Sequence, residues 1–100
     1  MIVSYDNLVR VSMEVIGGLF NDRRYWLNIR HGGCIKVSNV ELARLLLERV
    51  GEYADGYVSE ERLREVYINH VVIPYLAGFY RVRRYRHCSR NCRVTYVICK

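Results

Sequence analysis

The last third of this chain holds the residues whose types and spacing suggest chemistry. Six arginines fall within thirteen residues, with aromatic side chains between them, in the segment YRVRRYRHCSRNCRVTYVI. Guanidinium groups bind phosphate oxygens bidentately, and aromatic rings stack on bases or sugars. Residues 66–100 contain no acid, so their formal charge is +7. The cluster therefore predicts contact with a polyanion, most commonly nucleic acid. Its members are Arg81, Arg83, Arg84, Tyr85, Arg86, Arg90 and Arg93.

The chain also has four cysteines, which are Cys34, Cys88, Cys92 and Cys99. Cys88 and Cys92 flank a three-residue tip, where an antiparallel hairpin would bring them within disulfide range. Cys34 and Cys99 would pair if their predicted strands adjoin. Free buried thiols and a metal site remain alternatives, although the C-x3-C spacing differs from that of zinc ribbons and fingers. We expect disulfides, no metal and no cofactor.

Catalytic patterns are scarce in the sequence. There is no phosphate-binding glycine loop, no pair of carboxylates on a plausible cleft and no histidine with a clear nucleophile. We therefore expect a non-enzymatic protein without a small-molecule substrate. A metal-free nuclease that uses tyrosine, histidine and arginine is the alternative.

Length and composition limit the remaining classes of protein. One hundred residues, 51% hydrophobic and 26% charged, predict one globular domain over residues 1–100. The longest uncharged stretch, 66–80, is too short to span a bilayer, and the first residues do not resemble a secretion signal. We expect a cytoplasmic protein with no membrane partner. The fourteen arginines against two lysines, and the absence of glutamine, also suit a heat-adapted organism.

Local patterns predict the elements of the first half of the chain. Apolar and polar residues alternate over 8–16, which favours a half-buried strand that ends at Gly17-Gly18, although a helix also fits. Asn21 or Asp22 would cap a helix over about 22–31, which Gly32-Gly33 would end, although residues 25–29 would also tolerate a strand. A short strand over 34–37 would follow.

Two capped helices are predicted next. Ser38 and Glu41 form a capping box before an apolar stripe that ends at Gly51. Ser59 would cap a second helix, which Pro74 would end or kink near residue 73. The buried stripe of that helix would consist of Leu63, Val66, Tyr67 and His70.

The remaining residues predict a β-hairpin with strands over 79–87 and 92–99. Its second strand would turn Val94, Tyr96 and Ile98 towards the core. Arg84 and Arg86 would then lie on the same side as the core residues, which requires either a β-bulge or a hairpin tip that projects beyond the core. The projecting tip is the simpler explanation.

This order of elements resembles a winged helix-turn-helix domain. The likeness rests on CIKVSNVELARLL, SEERLREVYINHVV and the basic hairpin, and it covers about residues 22–99. It implies an α+β fold, here with an additional N-terminal strand and a C-terminal basic β-hairpin. In such domains the second paired helix enters the major groove and the hairpin, or wing, touches the backbone or minor groove. The resemblance thereby implies a homodimer and secondary base contacts from Arg62, Arg64 and Asn69.

The leading hypothesis is a double-stranded DNA-binding transcriptional regulator or architectural factor of a heat-adapted archaeon or its virus. Duplex DNA is favoured over RNA as the partner. One alternative is an RNA-binding ribonucleoprotein component. Another is a protein-interaction or inhibitor module, which the acidic start of the second helix favours because Glu60, Glu61 and Glu65 would repel phosphate.

Overall fold

The computed structural model describes residues 5–50 and 59–100. Three helices in these ranges pack on one face of a four-stranded antiparallel sheet, which confirms the predicted α+β class. The predicted helix end at Gly51 and the loop that follows it lie outside the described residues. Among the helices of the described ranges, none combines the length and apolar character that crossing a bilayer requires.

The first element is a helix, α1, over Tyr5–Phe20, so the strand predicted over 8–16 is wrong. Val11 and Ile16 are fully buried, and Ser12 between them is buried as well. The Ser12 hydroxyl donates to the Leu8 carbonyl oxygen at 2.7 Å, which satisfies it inside the helix. Burial against the rest of the protein therefore outweighs the local preference of valine for strands.

The helix predicted over 22–31 is also wrong. Asp22 does act as a cap, but of a single 3₁₀ turn, Arg23–Tyr25, after which the chain enters strand β1, Trp26–Asn28. The Trp26 indole N–H donates to the Phe20 carbonyl oxygen at 2.8 Å, which ties β1 to the end of α1. Gly32-Gly33 does not end a helix but lies in strand β2, His31–Ser38.

The helix α2, Asn39–Val50, follows its predicted cap. The Glu41 amide donates to the Ser38 hydroxyl oxygen at 3.1 Å, as the capping box requires. The Glu41 carboxylate instead accepts a hydrogen bond from the Tyr25 hydroxyl at 2.9 Å. This bond links the start of α2 to the 3₁₀ turn.

The third helix, α3, consists of three consecutive segments that differ in geometry. An α-helical turn, Glu60–Arg62, leads into a π-helical segment, Leu63–Val72, and then into a final α-helical segment, Ile73–Leu76. Ser59 caps the first turn, as predicted, by accepting from the Arg62 amide at 3.1 Å.

The π-helical segment changes which side chains of α3 are buried. Its backbone bonds join residues five apart, as in the bond from the Ile73 amide to the Ile68 carbonyl oxygen. Leu63, Ile68 and Val72 consequently face the core, whereas Val66 and His70 are exposed. The predicted stripe assumed α-helical spacing and is wrong at these last two positions.

Pro74 does not end α3, which continues to Leu76. The helix changes from π to α geometry at Ile73, so Pro74 falls in the first turn of a new segment. A proline is tolerated there because the first amides of a helical segment have no partner within that segment.

The predicted hairpin is confirmed as β3, Arg81–Cys88, and β4, Cys92–Cys99. The sheet order is β1-β2-β4-β3, so β4 lies between β2 and β3 while β3 forms an edge. Val94, Tyr96 and Ile98 of β4 are buried under the helices, as predicted. The opposite face of the sheet carries no helix of the described residues.

Both predicted disulfides are present. Cys34 of β2 faces Cys99 of β4 and is bonded to it, while Cys88 and Cys92 close the hairpin tip. Each pair occupies directly opposite positions on neighbouring antiparallel strands, where the side chains approach most closely.

Replacing Gly17 with alanine is expected to stabilise the protein. A Cβ atom at this helical position would have no neighbour within 4 Å, and alanine loses less backbone entropy than glycine on folding. We expect the free energy of unfolding in urea to rise by roughly 0.5–1 kcal/mol. Gly32→Ala is the matched control of opposite sign, because its Cβ would lie 2.8 Å from the Phe20 carbonyl oxygen and the Trp26 ring. A destabilised Gly17→Ala variant would contradict the helical assignment of this region.

Removing the long-range disulfide is expected to cost more stability than removing the hairpin disulfide. Cys34 and Cys99 are 65 residues apart, whereas Cys88 and Cys92 are 4 apart. Loop-closure entropy gives a loss of about 4 kcal/mol for C34A/C99A and about 2 kcal/mol for C88A/C92A. Urea unfolding with and without reductant measures both losses. If reductant leaves the stability of the unsubstituted protein unchanged, neither bridge contributes.

Candidate nucleic-acid interface

The hairpin distributes its arginines over two faces of the sheet. Arg81 and Arg83 lie opposite Cys99 and Val97, whereas Arg84 lies opposite the buried Tyr96. Directly opposite residues of an antiparallel pair point to the same face. Arg81 and Arg83 therefore point away from the helices, and Arg84 points towards the helical side. Arg86 shares the helical side with Arg84, and Arg93 shares the other side with Arg81 and Arg83.

We call the side of the sheet that faces away from the helices the open face. Its side chains come from all four strands and include four cations, a histidine and a tyrosine. None of its residues is acidic. The open face comprises Leu27, Cys34, Lys36, Ser38, Arg81, Arg83, Tyr85, His87, Arg93, Thr95, Val97 and Cys99.

Arg84 lies beside the Tyr96 hydroxyl, a polar group at the rim of the core. The Tyr96 hydroxyl donates to the Asn69 side-chain oxygen at 2.8 Å, which connects β4 to α3. Burial raises the pKa of the Tyr96 hydroxyl above its ordinary value of 10.0, and the neighbouring Arg84 guanidinium opposes this shift. Arg84 and Arg86 are nevertheless exposed, as expected for a hairpin tip that projects beyond the core. The predicted projection of the hairpin accounts for both positions.

The hairpin tip adds a further cation. His87, Ser89, Arg90, Asn91 and Arg93 line a depression of about 540 Å³ there. The disulfide at its base fixes the two strands against each other. A rigid tip loses less conformational entropy when it binds a partner.

No acidic side chain of the described residues neutralises the hairpin arginines, although the Arg86 guanidinium donates to the Cys92 sulfur at 3.5 Å. Salt bridges join Arg24 to Asp22, Arg44 to Glu41 and Glu60, and Arg49 to Glu14. Within residues 5–50 and 59–100, no carboxylate pairs with any of the six hairpin arginines. The cluster therefore presents a concentrated positive field to solvent.

The three α3 residues predicted to make secondary base contacts, Arg62, Arg64 and Asn69, are less suited to contact a ligand than the hairpin arginines. The oxygen of the Asn69 amide accepts from Tyr96, and its nitrogen donates to the Glu65 carbonyl oxygen at 3.5 Å. These bonds use the groups that would read a base edge. Arg62 is exposed, 5.9 Å from the Tyr67 ring centroid, and Arg64 is half-buried. All three lie on the helical layer, so the structure does not bring them to the open face.

Lys36 is an exposed cation of the open face that is absent from the predicted site residues. Its position depends on the pairing of β2 with β4, which places it opposite Val97. The alternation of Ile35, Lys36 and Val37 was the signal that could have found it, because two buried neighbours direct the middle side chain outwards.

The metal alternative has no geometric support in the described residues. No three histidine, cysteine, aspartate or glutamate side chains converge there in a way that could hold an ion. All four cysteines are engaged in disulfides.

Ionisation of Tyr96 is expected to make the protein less stable in strong alkali. Because the folded state raises this pKa, it holds the proton more tightly than the unfolded chain does. The free energy of unfolding should therefore be insensitive to this group below pH 10.0 and fall as the pH rises above it.

Tyr96→Phe should flatten that fall when urea unfolding is followed against pH. It should not abolish it, because burial and the Glu41 hydrogen bond also raise the pKa of Tyr25. A variant whose alkaline profile matches that of the unsubstituted protein would contradict the assignment to Tyr96.

No protein-family model matches the chain, and no curated protein or solved structure is significantly similar to it. The function is therefore inferred from the geometry and charge of the described residues.

Proposed function

We propose that this chain is a non-enzymatic nucleic-acid-binding protein that holds duplex DNA through its basic hairpin. The observation that carries the proposal is the cluster of six arginines that no carboxylate of the described residues neutralises. Phosphate contacts of this kind release counterions from the duplex and supply much of the affinity of DNA-binding proteins. The hairpin provides these contacts on a short segment closed by a disulfide.

A winged helix-turn-helix arrangement is the finer form of the proposal. The order of α2, α3, β3 and β4, and the pairing of β2, β4 and β3 in one sheet, support it. The hairpin is then the wing, and α3 is the helix that follows the turn. Two copies would present two wings to a two-fold related site, so the proposal includes a homodimer.

The wing contributes more to binding than α3 in this proposal. Glu60 and Glu61 open α3, where they would repel phosphate, and Asn69 is already bonded within the protein. Arg62 and Arg64 remain secondary contacts. A regulator or an architectural factor that relies on the wing would bind many sequences with similar affinity, because phosphate contacts carry no base information.

The two-sided distribution of arginines suits a groove. A two-stranded ribbon fits the major groove of B-DNA, which is about 12 Å wide. The side chains of Arg81, Arg83 and Arg93 project from one face of the ribbon. Those of Arg84 and Arg86 project from the other face. A ribbon inserted in this way would place cations towards the phosphates of both strands.

The triple variant R83A/R84A/R86A tests the proposal. We expect it to bind duplexes of unrelated sequence more weakly, and to flatten the slope of log affinity against log salt by about three units. Fluorescence anisotropy of a labelled duplex, titrated over a series of salt concentrations, measures both quantities.

The control R23A/R44A/R49A removes the same formal charge from the helical side of the protein. It should retain a slope close to that of the unsubstituted protein. Equal slopes for the two triple variants would mean that net charge alone drives binding, which would overturn the proposed role of the wing. A preference for structured RNA would instead favour a ribonucleoprotein role.

A further inference from the structure

We infer that the open face of the sheet is a second binding site, which takes an unpaired strand of nucleic acid with a base stacked on Tyr85. The inference extends the proposed function, since it assumes the same class of ligand. The two sites share Arg81, Arg83 and Arg93, but the proposed duplex contact uses phosphates on both sides of the hairpin, whereas this site uses the open face alone and contacts a base. Its ligand is single-stranded and can be DNA or RNA.

The shape of the open face provides room next to the Tyr85 side chain. Two neighbouring depressions of about 250 Å³ and about 470 Å³ share Tyr85 and Val97 in their walls. The smaller one is completed by Arg81, Arg83 and Cys99. The larger one is completed by Leu27, Lys36, His87, Arg93 and Thr95. The Tyr85 side chain therefore borders two shallow spaces, each of which is also lined by cations.

Exposed apolar groups distinguish this surface from a simple phosphate-binding patch. Tyr85 is 52% exposed and Leu27 is 54% exposed, although both lie among charged residues. The outside of a duplex offers phosphates and sugars but hides the faces of its bases. An unpaired strand exposes those faces, and they stack on aromatic rings without regard to sequence. The combination of ring and cations thus fits an unpaired strand better than a duplex.

Cations and His87 lie around the Tyr85 side chain on the open face. Arg83 and His87 lie two residues before and after Tyr85 on β3, each about 7 Å along the strand. Arg93 of the neighbouring strand β4 and Lys36 of β2, the next strand beyond it, line the larger depression. Phosphates on either side of a base stacked on Tyr85 would meet these groups, and no acid of the open face opposes them.

The size of the surface sets the length of strand that it can hold. The eight residues of β3 extend over about 25 Å. This length suits a short site near the lower end of the range of about 4–16 nucleotides for sheet-based single-strand binders. Disulfides at both ends of β4, Cys34–Cys99 and Cys88–Cys92, hold the surface rigid before the ligand arrives.

The test compares Tyr85→Leu with Tyr5→Leu. Tyr5 is 58% exposed on α1, so the control removes an equally exposed ring from outside the sheet. The probes are labelled oligothymidine DNA, oligouridine RNA and a mixed-sequence DNA duplex, each of about twelve nucleotides or base pairs. We expect Tyr85→Leu to lose roughly tenfold in affinity for the single strands and less than about twofold for the duplex. Tyr85→Phe should restore single-strand binding, because it keeps the ring.

The outcomes separate this inference from the proposed function. Single-strand binding that survives in Tyr85→Leu, or that is absent from the unsubstituted protein, overturns the inference while duplex binding by the wing stands. Loss of single-strand binding in Tyr85→Leu, in a protein that does not bind the duplex, supports the inference and overturns the proposed duplex function. An equal loss in the Tyr5→Leu control would also overturn the inference. The ratio of the two single-strand affinities tells DNA from RNA.

Discussion

The pairing of β2 with β4 is the constraint on which the rest of the structure depends. It joins residues 65 apart in sequence, and the Cys34–Cys99 disulfide makes the pairing covalent. Because β4 takes a central position, β3 is left at the edge of the sheet with its side chains exposed. The same register buries Ile35 opposite Ile98 under the helices. Because side chains alternate along a strand, the residues next to Ile35 and Ile98 on each strand must face outwards. The open face is a direct result of that alternation.

The arginine-rich strand is compatible with a stable core because β3 contributes little to that core. Only Val82 of β3 packs against the buried cluster, whereas β4 supplies three of its members. The side chains opposite Tyr96 and Val94 can therefore be arginines, provided that they extend past the helices. The Tyr96 hydroxyl lies at the boundary between the buried core and the exposed arginines of β3. Its bond to Asn69 satisfies a polar group where the apolar packing ends.

Local chemistry allowed the sequence to predict the hairpin, the Cys88–Cys92 disulfide and the caps at Ser38 and Ser59, since each depends on residues close in the chain or on strict alternation. The Cys34–Cys99 disulfide was predicted only on the condition that two distant strands adjoin. Elements that depend on tertiary burial were not predictable in this way. The valines of α1 alternate like those of a strand, and only packing against the other elements selects a helix. The π-helical geometry of α3 has no local sequence pattern, so the burial of Ile68 was missed. Lys36 joined the open face only through the pairing of distant strands.

The exposed edge of β3 has a consequence for solubility. An unpaired edge of eight residues offers backbone groups to which another chain can add as a further strand, and such edges promote aggregation. Two copies that met edge to edge would bring their arginines together, and this repulsion keeps the edges apart. The protection is conditional, because it depends on charge rather than on shape. A polyanion that neutralises these arginines removes the barrier, and protein crowded along such a polymer would then be able to extend its sheet from one copy to the next.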